Sequence, residues 1–93
     1  MRYVVVIHKD EDSDFGVTVP DLPGCFSAGK SIEDALENAT EAIECHLEAI
    51  ISDGEKIPTS KTIEFHRKNP DYADGIWAIT QVNLNFSSEK IAA

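Results

Sequence analysis

With 93 residues the chain has room for a single domain, and its 42% hydrophobic content favours a folded domain over a disordered one. Its 17 acidic residues outnumber the 8 basic ones, which gives a net charge of -9. Such a surface repels phosphate backbones and anionic lipids, so we expect no direct binding of nucleic acid or of a membrane. The charge suits a basic protein partner, or it serves only to keep the domain soluble.

The first half of the chain predicts three strands. Residues 3–7 form a β-branched and aromatic run typical of a buried strand. A polar turn over 9–14 leads to a second strand at 15–19, which the spacing pairs with the first as a hairpin. Pro20 and Pro23 lack the N–H that a sheet ladder needs, so residues 20–24 predict a turn before a short strand at 25–28.

One long helix follows. Ser31 is a good N-cap, and Asp34 lies at the position of a capping box. Gly54 is a natural stop for the helix. Between them the apolar residues recur at steps of three and four, which predicts one buried face: Ile32, Ala35, Leu36, Ala39, Ile43, Leu47 and Ile50.

The remainder predicts one more strand. Residues 56–74 are loop-like with a short helix around 62–68, residues 76–84 have the composition of a strand, and residues 85–93 are polar and small. The order strand-strand-strand-helix-strand predicts an α+β domain, in which one helix packs on a small, mainly antiparallel sheet.

The helix also carries an acidic stripe opposite its apolar face. Its members are Glu33, Glu37, Glu41, Glu44 and Glu48, and no Lys or Arg occurs between Lys30 and Lys56. Like charges at i,i+4 spacing cost a few tenths of a kcal/mol per pair. The stripe is either a solvated face or a docking face for a cationic partner.

The sequence offers little for catalysis or cofactor binding. Its two cysteines, Cys25 and Cys45, form no CxxC pair, and we expect both to be reduced packing residues of a cytoplasmic protein. The N-terminal apolar run is too short for a signal peptide or a membrane span. A nucleophilic pair of Cys25 with His8 or His46 remains an alternative, but no metal-ligand spacing and no phosphate-binding loop occurs. We therefore expect no cofactor, no metal and no enzymatic activity.

The assembled residues resemble the HicB antitoxin family over nearly the whole chain. The resemblance is carried by 8–10 (His-Lys-Asp), 16–24 (Gly-Val-Thr-Val-Pro-Asp-Leu-Pro-Gly), 31–35 (Ser-Ile-Glu-Asp-Ala), 41–43 (Glu-Ala-Ile), His46, 72–73 (Tyr-Ala) and 76–78 (Ile-Trp-Ala). It implies a partial RNase-H-like fold without nuclease activity. It also implies a partner of the HicA type, a small basic toxin that cleaves mRNA and whose active site the antitoxin covers.

The resemblance divides the chain into a toxin-neutralising domain at 1–85 and a tail at 86–93. Relatives usually continue into a DNA-binding module of the ribbon-helix-helix or helix-turn-helix type. Either the tail is the start of such a module or this member lacks one. The alternative function is therefore transcriptional autorepression through a C-terminal module that these residues do not contain.

The contact residues for the toxin are a separate prediction. We expect contacts from acidic side chains, from the proline turn and from part of the helix stripe: Asp10, Asp14, Asp21, Leu22, Pro23, Gly24, Glu37 and Glu41. Pro23 and Gly24 have an equally good structural explanation, since they can serve only to position the third strand. Trp77 is either an interface anchor or a core residue. We also expect a homodimer or larger homo-oligomer, formed through an exposed sheet edge or the helix.

Overall fold

One long helix packs on one face of a four-stranded antiparallel sheet in the computed structural model, which describes residues 1–9 and 11–83. The elements in chain order are β1 (Arg2–Lys9), β2 (Phe15–Thr18), β3 (Phe26–Gly29), α1 (Ile32–Ser52), α2 (Ile63–His66) and β4 (Ile76–Gln81), with a 3-10 turn at Pro70–Tyr72. This confirms the α+β class and the predicted order. The relationship to RNase H stays a prediction.

The strands lie in the order β3-β2-β1-β4, so β1 is central and the last strand of the chain pairs with the first. The predicted hairpin is confirmed, with Ile7 opposite Val17. Several strand ends differ from the prediction. Strand β1 is longer at both ends, β2 stops at Thr18, β3 is shifted by one residue to Phe26–Gly29, and β4 stops at Gln81. Val19 and Cys25 instead close the turn between β2 and β3 through a 3.4 Å backbone hydrogen bond.

The helix begins and ends as its sequence predicts. The Ser31 hydroxyl accepts a 3.0 Å hydrogen bond from the Asp34 N–H, which satisfies one of the unpaired donors of the first turn. After α1, Gly54 adopts a φ of +74°, a left-handed conformation that glycine tolerates best. Four residues at i,i+4 spacing are fully buried against the sheet: Ala35, Ala39, Ile43 and Leu47.

Strand β1 is buried on both faces of the sheet. Tyr3, Val5 and Ile7 belong to the core beneath α1. Val4 and Val6 point to the other face, because side chains alternate along a strand, and they are buried as well. The later part of the segment after α1 lies against that second face: an added Cβ at Gly75 would overlap the Val6 side chain, and Ile63 lines a groove beside Val4.

None of the helices within the described ranges is long and apolar enough to cross a membrane.

Candidate partner-binding surface

The acidic stripe of α1 divides into an exposed part and a half-buried part. Glu33, Glu37 and Glu41 are exposed, and no Lys or Arg forms a salt bridge with them among the described residues. Glu44 and Glu48 are half-buried, and the Glu44 carboxylate accepts a 3.3 Å hydrogen bond from the Asn83 N–H. The exposed part of the acidic stripe is therefore shorter than the sequence suggested. The carboxylates without a basic partner among the described residues lie in the first half of α1.

The turn at residues 20–24 presents two residues to solvent and buries two side chains. Pro23 and Gly24 are exposed, and Gly24 has a φ of +87°. Leu22 is fully buried in the core, and its N–H donates a 3.0 Å hydrogen bond to the Val19 carbonyl. A direct contact between the Leu22 side chain and a partner would need a different conformation of the turn. In this structure Leu22 anchors the turn.

Asp21 is the centre of a buried polar cluster that sequence reasoning missed. Its Oδ2 atom accepts hydrogen bonds from the Lys61 N–H at 2.9 Å, from the His66 Nε2–H at 2.9 Å and from the Ser60 hydroxyl at 3.4 Å. The side chains of Asp21 and His66 are only 7% and 12% exposed. No local signal reveals this cluster, because its members lie 39 to 45 residues from Asp21 in sequence. Asp21 thus joins the turn to the segment that covers the second sheet face.

Tyr3 belongs to the same region. Its hydroxyl donates a 2.6 Å hydrogen bond to the Pro58 carbonyl. Burial raises the pKa of the Tyr3 hydroxyl, and the nearby negative charge of Asp21 raises it further, because both disfavour the phenolate. The neutral Tyr3 and the carboxylate of Asp21 therefore hold residues 58–66 to the sheet from two points.

The predicted contact residues do not form one cluster. Asp14 is exposed just before β2, whereas Pro23 and Gly24 lie beyond its other end, and β2 itself is about 13 Å long. Glu37 and Glu41 lie one helical turn apart on the exposed face of α1. Asp10 lies outside the described residues.

The cysteines differ from each other in their surroundings. Cys25 is buried, and burial, followed by the neighbouring Cys45, raises the pKa of its thiol, which is the reverse of what activates a nucleophile. No hydrogen bond joins Cys25 to His8 or His46 within the described ranges, and His8 instead places its Nε2 atom 3.1 Å from the Thr18 hydroxyl. The prediction that Cys45 is a packing residue is wrong. It is exposed, because it lies on the opposite side of α1 from the buried apolar residues Ala35, Ala39, Ile43 and Leu47.

The geometry defines a small acidic α+β domain with an exposed carboxylate face on α1. The sequence profile of the HicB-like antitoxins of bacterial toxin-antitoxin systems matches residues 3–92. The chain therefore belongs to the HicB-like antitoxin family.

Two solved structures and one sequence relative illustrate the similarity. The N-terminal domain of the Burkholderia pseudomallei antitoxin HicB superposes with a TM-score of 0.78 at 41% identity, and the match covers 90% of this chain and all of that domain. A chain of the HicA3 and HicB3 toxin-antitoxin complex superposes with a TM-score of 0.75 at 30% identity, covering 89% and 99% of the two chains. An uncharacterised 14.9 kDa protein of Haemophilus phage HP1 is 43% identical over 84 residues. That match covers 90% of this chain but 62% of the phage protein, so the chain spans less than two thirds of its relative's length.

Proposed function

We propose that this chain is an antitoxin that binds and masks a small basic ribonuclease toxin of the HicA type, without catalysing a reaction itself. The observation that carries the proposal is membership of the HicB-like antitoxin family together with an exposed, uncompensated acidic face on α1. The HicA3 and HicB3 complex shows that a relative of the same fold assembles with a toxin. The proposal places the protein in the cytoplasm and assigns the activity to residues 1–85.

Charge complementarity explains how such a domain recognises its target. A protein that grips RNA needs a cationic surface for the phosphates, and this chain carries a net charge of -9. Glu33, Glu37 and Glu41 compete with RNA for the cationic surface of the toxin, and unlike RNA they present no phosphodiester bond that the toxin could cleave. Because charges exposed to solvent are screened over about 8–10 Å at ordinary ionic strength, the complex should weaken as salt is added.

The proposed contact surface combines α1 with the two ends of β2. Glu37 and Glu41 supply the charge, and Asp14 extends it at the β2 end from which α1 starts. Pro23 and Gly24 supply a rigid exposed turn at the other end, and Asp21 and Leu22 hold that turn in shape from inside. Asp10 is included on charge alone. We further propose that the chain self-associates, so that one assembly neutralises more than one toxin.

The test is co-expression with the small basic protein encoded beside this chain, followed by co-purification. The proposal predicts that the neighbour alone arrests growth, that this chain restores growth, and that the two proteins elute together. A neighbour that is harmless by itself, or that does not bind, would overturn the assignment.

The contact surface is tested with a charge-matched pair of double variants. Neutralising both helix carboxylates with Glu37→Gln and Glu41→Gln should raise the Kd for the toxin about 3- to 30-fold. Each exposed ion pair contributes roughly 0.3–1 kcal/mol, and the double variant removes two of them. The control, Glu55→Gln with Glu64→Gln, removes the same charge from exposed residues outside α1. Equal losses for the two double variants would mean that net charge alone drives binding and would refute the α1 surface.

A further inference from the structure

The turn between β2 and β3 is held by two neighbouring side chains with different partners. Leu22 is fully buried in the core beneath α1. The carboxylate of Asp21 instead meets the segment that follows α1, where its Oδ2 atom accepts a 2.9 Å hydrogen bond from the His66 ring. The exposed tip of the turn, Pro23 and Gly24, follows these two residues directly in sequence. The position of the tip is therefore set by both attachments.

The segment that binds Asp21 is itself attached to the sheet. The Tyr3 hydroxyl donates a 2.6 Å hydrogen bond to the Pro58 carbonyl, and the Val4 N–H donates one of 3.1 Å to the Ser60 hydroxyl. Both donors belong to β1, which has a strand paired on each side. This stretch is therefore a fixed base, and the link from it to the turn decides how firmly the turn is held.

His66 adds a restraint on Asp21 from the short helix α2. Its Nε2 atom carries the hydrogen of this bond, because a carboxylate can only accept. The other two donors to the Asp21 carboxylate, the Lys61 N–H and the Ser60 hydroxyl, lie at 2.9 and 3.4 Å and belong to adjacent residues before α2. The His66 ring, which meets the Phe65 ring edge-on at 5.2 Å, belongs to a separate element. Loss of the His66 ring therefore leaves the carboxylate attached to one short stretch of chain.

We infer that His66 is a positioning residue for toxin binding: by holding the Asp21 carboxylate, it keeps Pro23 and Gly24 in the arrangement that the toxin meets. The inference rests on the proposed function, because it concerns the affinity of the same contact surface. His66 acts through Asp21, since its own side chain is only 12% exposed. If loss of the His66 contact leaves the tip in its native position about 10–20% of the time, the Kd for the toxin rises about 5- to 10-fold.

Toxin affinity tests this role with three variants of the full chain. His66→Ala should raise the Kd about 5- to 10-fold, and His66→Gln should recover most of the affinity, because its amide N–H replaces the lost donor. Thr80→Val is the control: it removes a buried 2.7 Å hydrogen bond between the Thr80 and Thr40 hydroxyls, far from the turn in sequence, and should change the Kd less than about twofold. Equal losses for His66→Ala and Thr80→Val would mean that general destabilisation lowers the affinity, and would overturn the inference.

Amide hydrogen exchange of the chain without toxin tests the physical cause. The Leu22 and Cys25 N–H groups donate 3.0 Å hydrogen bonds within the turn. Both should exchange roughly tenfold or more faster in His66→Ala than in the parent, and at the parent rate in Thr80→Val. Unchanged exchange in His66→Ala would overturn the inference.

Failure of the inference is distinguishable from failure of the proposed function. A parent chain that binds no toxin would refute the proposed function and the inference with it. A parent and a His66→Ala protein that bind the toxin with the same Kd would refute the inference alone.

Discussion

Replacing Asp21 by alanine should destabilise the domain by about 2–4 kcal/mol. The change removes an acceptor that takes three hydrogen bonds, two of them at 2.9 Å. A hydrogen bond to a charged group contributes about 1.5–3 kcal/mol, but bonds that share one acceptor are not additive. The Lys61 N–H and the His66 ring also lose their partner, which adds a desolvation cost. Against a total stability of roughly 5–10 kcal/mol for a domain of this size, the loss is large.

The assay is urea denaturation followed by the fluorescence of Trp77, which is half-buried and meets the Tyr72 ring edge-on at 5.9 Å. Asp21→Asn keeps an oxygen that can accept from Lys61, so its loss should be smaller, about 1–2 kcal/mol. Asp74→Ala is the control, because it removes the same charge from an exposed position and should cost less than about 0.5 kcal/mol. An Asp21→Ala protein within 0.5 kcal/mol of the parent, by the same benchmark, would refute the role of the cluster.

Two further predictions concern packing and pH. Gly29→Ala should cost about 1–3 kcal/mol in urea denaturation, because the added Cβ would overlap the backbone of Asp34 and Ala35 at the start of α1. A cost below about 0.5 kcal/mol, the range of an ordinary surface substitution, would contradict this overlap. The pKa of the Tyr3 hydroxyl is raised in the folded state, so the unfolded chain loses this proton at a lower pH than the folded protein. The contribution of Tyr3 to stability should therefore be complete below a pH of about 10. It should decrease as the pH rises from there through the raised pKa. A Tyr3→Phe protein should lose less stability over that interval, and parallel pH curves for the two proteins would rule out the contribution of Tyr3.

Local signals were sufficient to predict the secondary structure. The Ser31 cap, the Gly54 stop and the i,i+4 series of apolar residues to Leu47 each act over a few residues. The position of α1 could therefore be predicted from the local sequence. The short helix was predicted around 62–68 and spans Ile63–His66, with the Thr62 hydroxyl accepting from the Phe65 N–H. Strand ends were harder to predict, because a partner's hydrogen bonds decide where a ladder stops.

The sequence alone therefore determined the α+β class, the order of elements, the net charge and the resemblance to HicB antitoxins. Only the tertiary structure decided which acidic residues face outward, since Asp21 became an internal acceptor while Glu37 and Glu41 stayed exposed. It also decided that Cys45 faces solvent and that β4 is an edge strand among the strands that the structure describes. The physical reason is range: caps and periodicity act between neighbours, whereas the contacts of Asp21 join residues about 40 positions apart and exist only once the chain has folded.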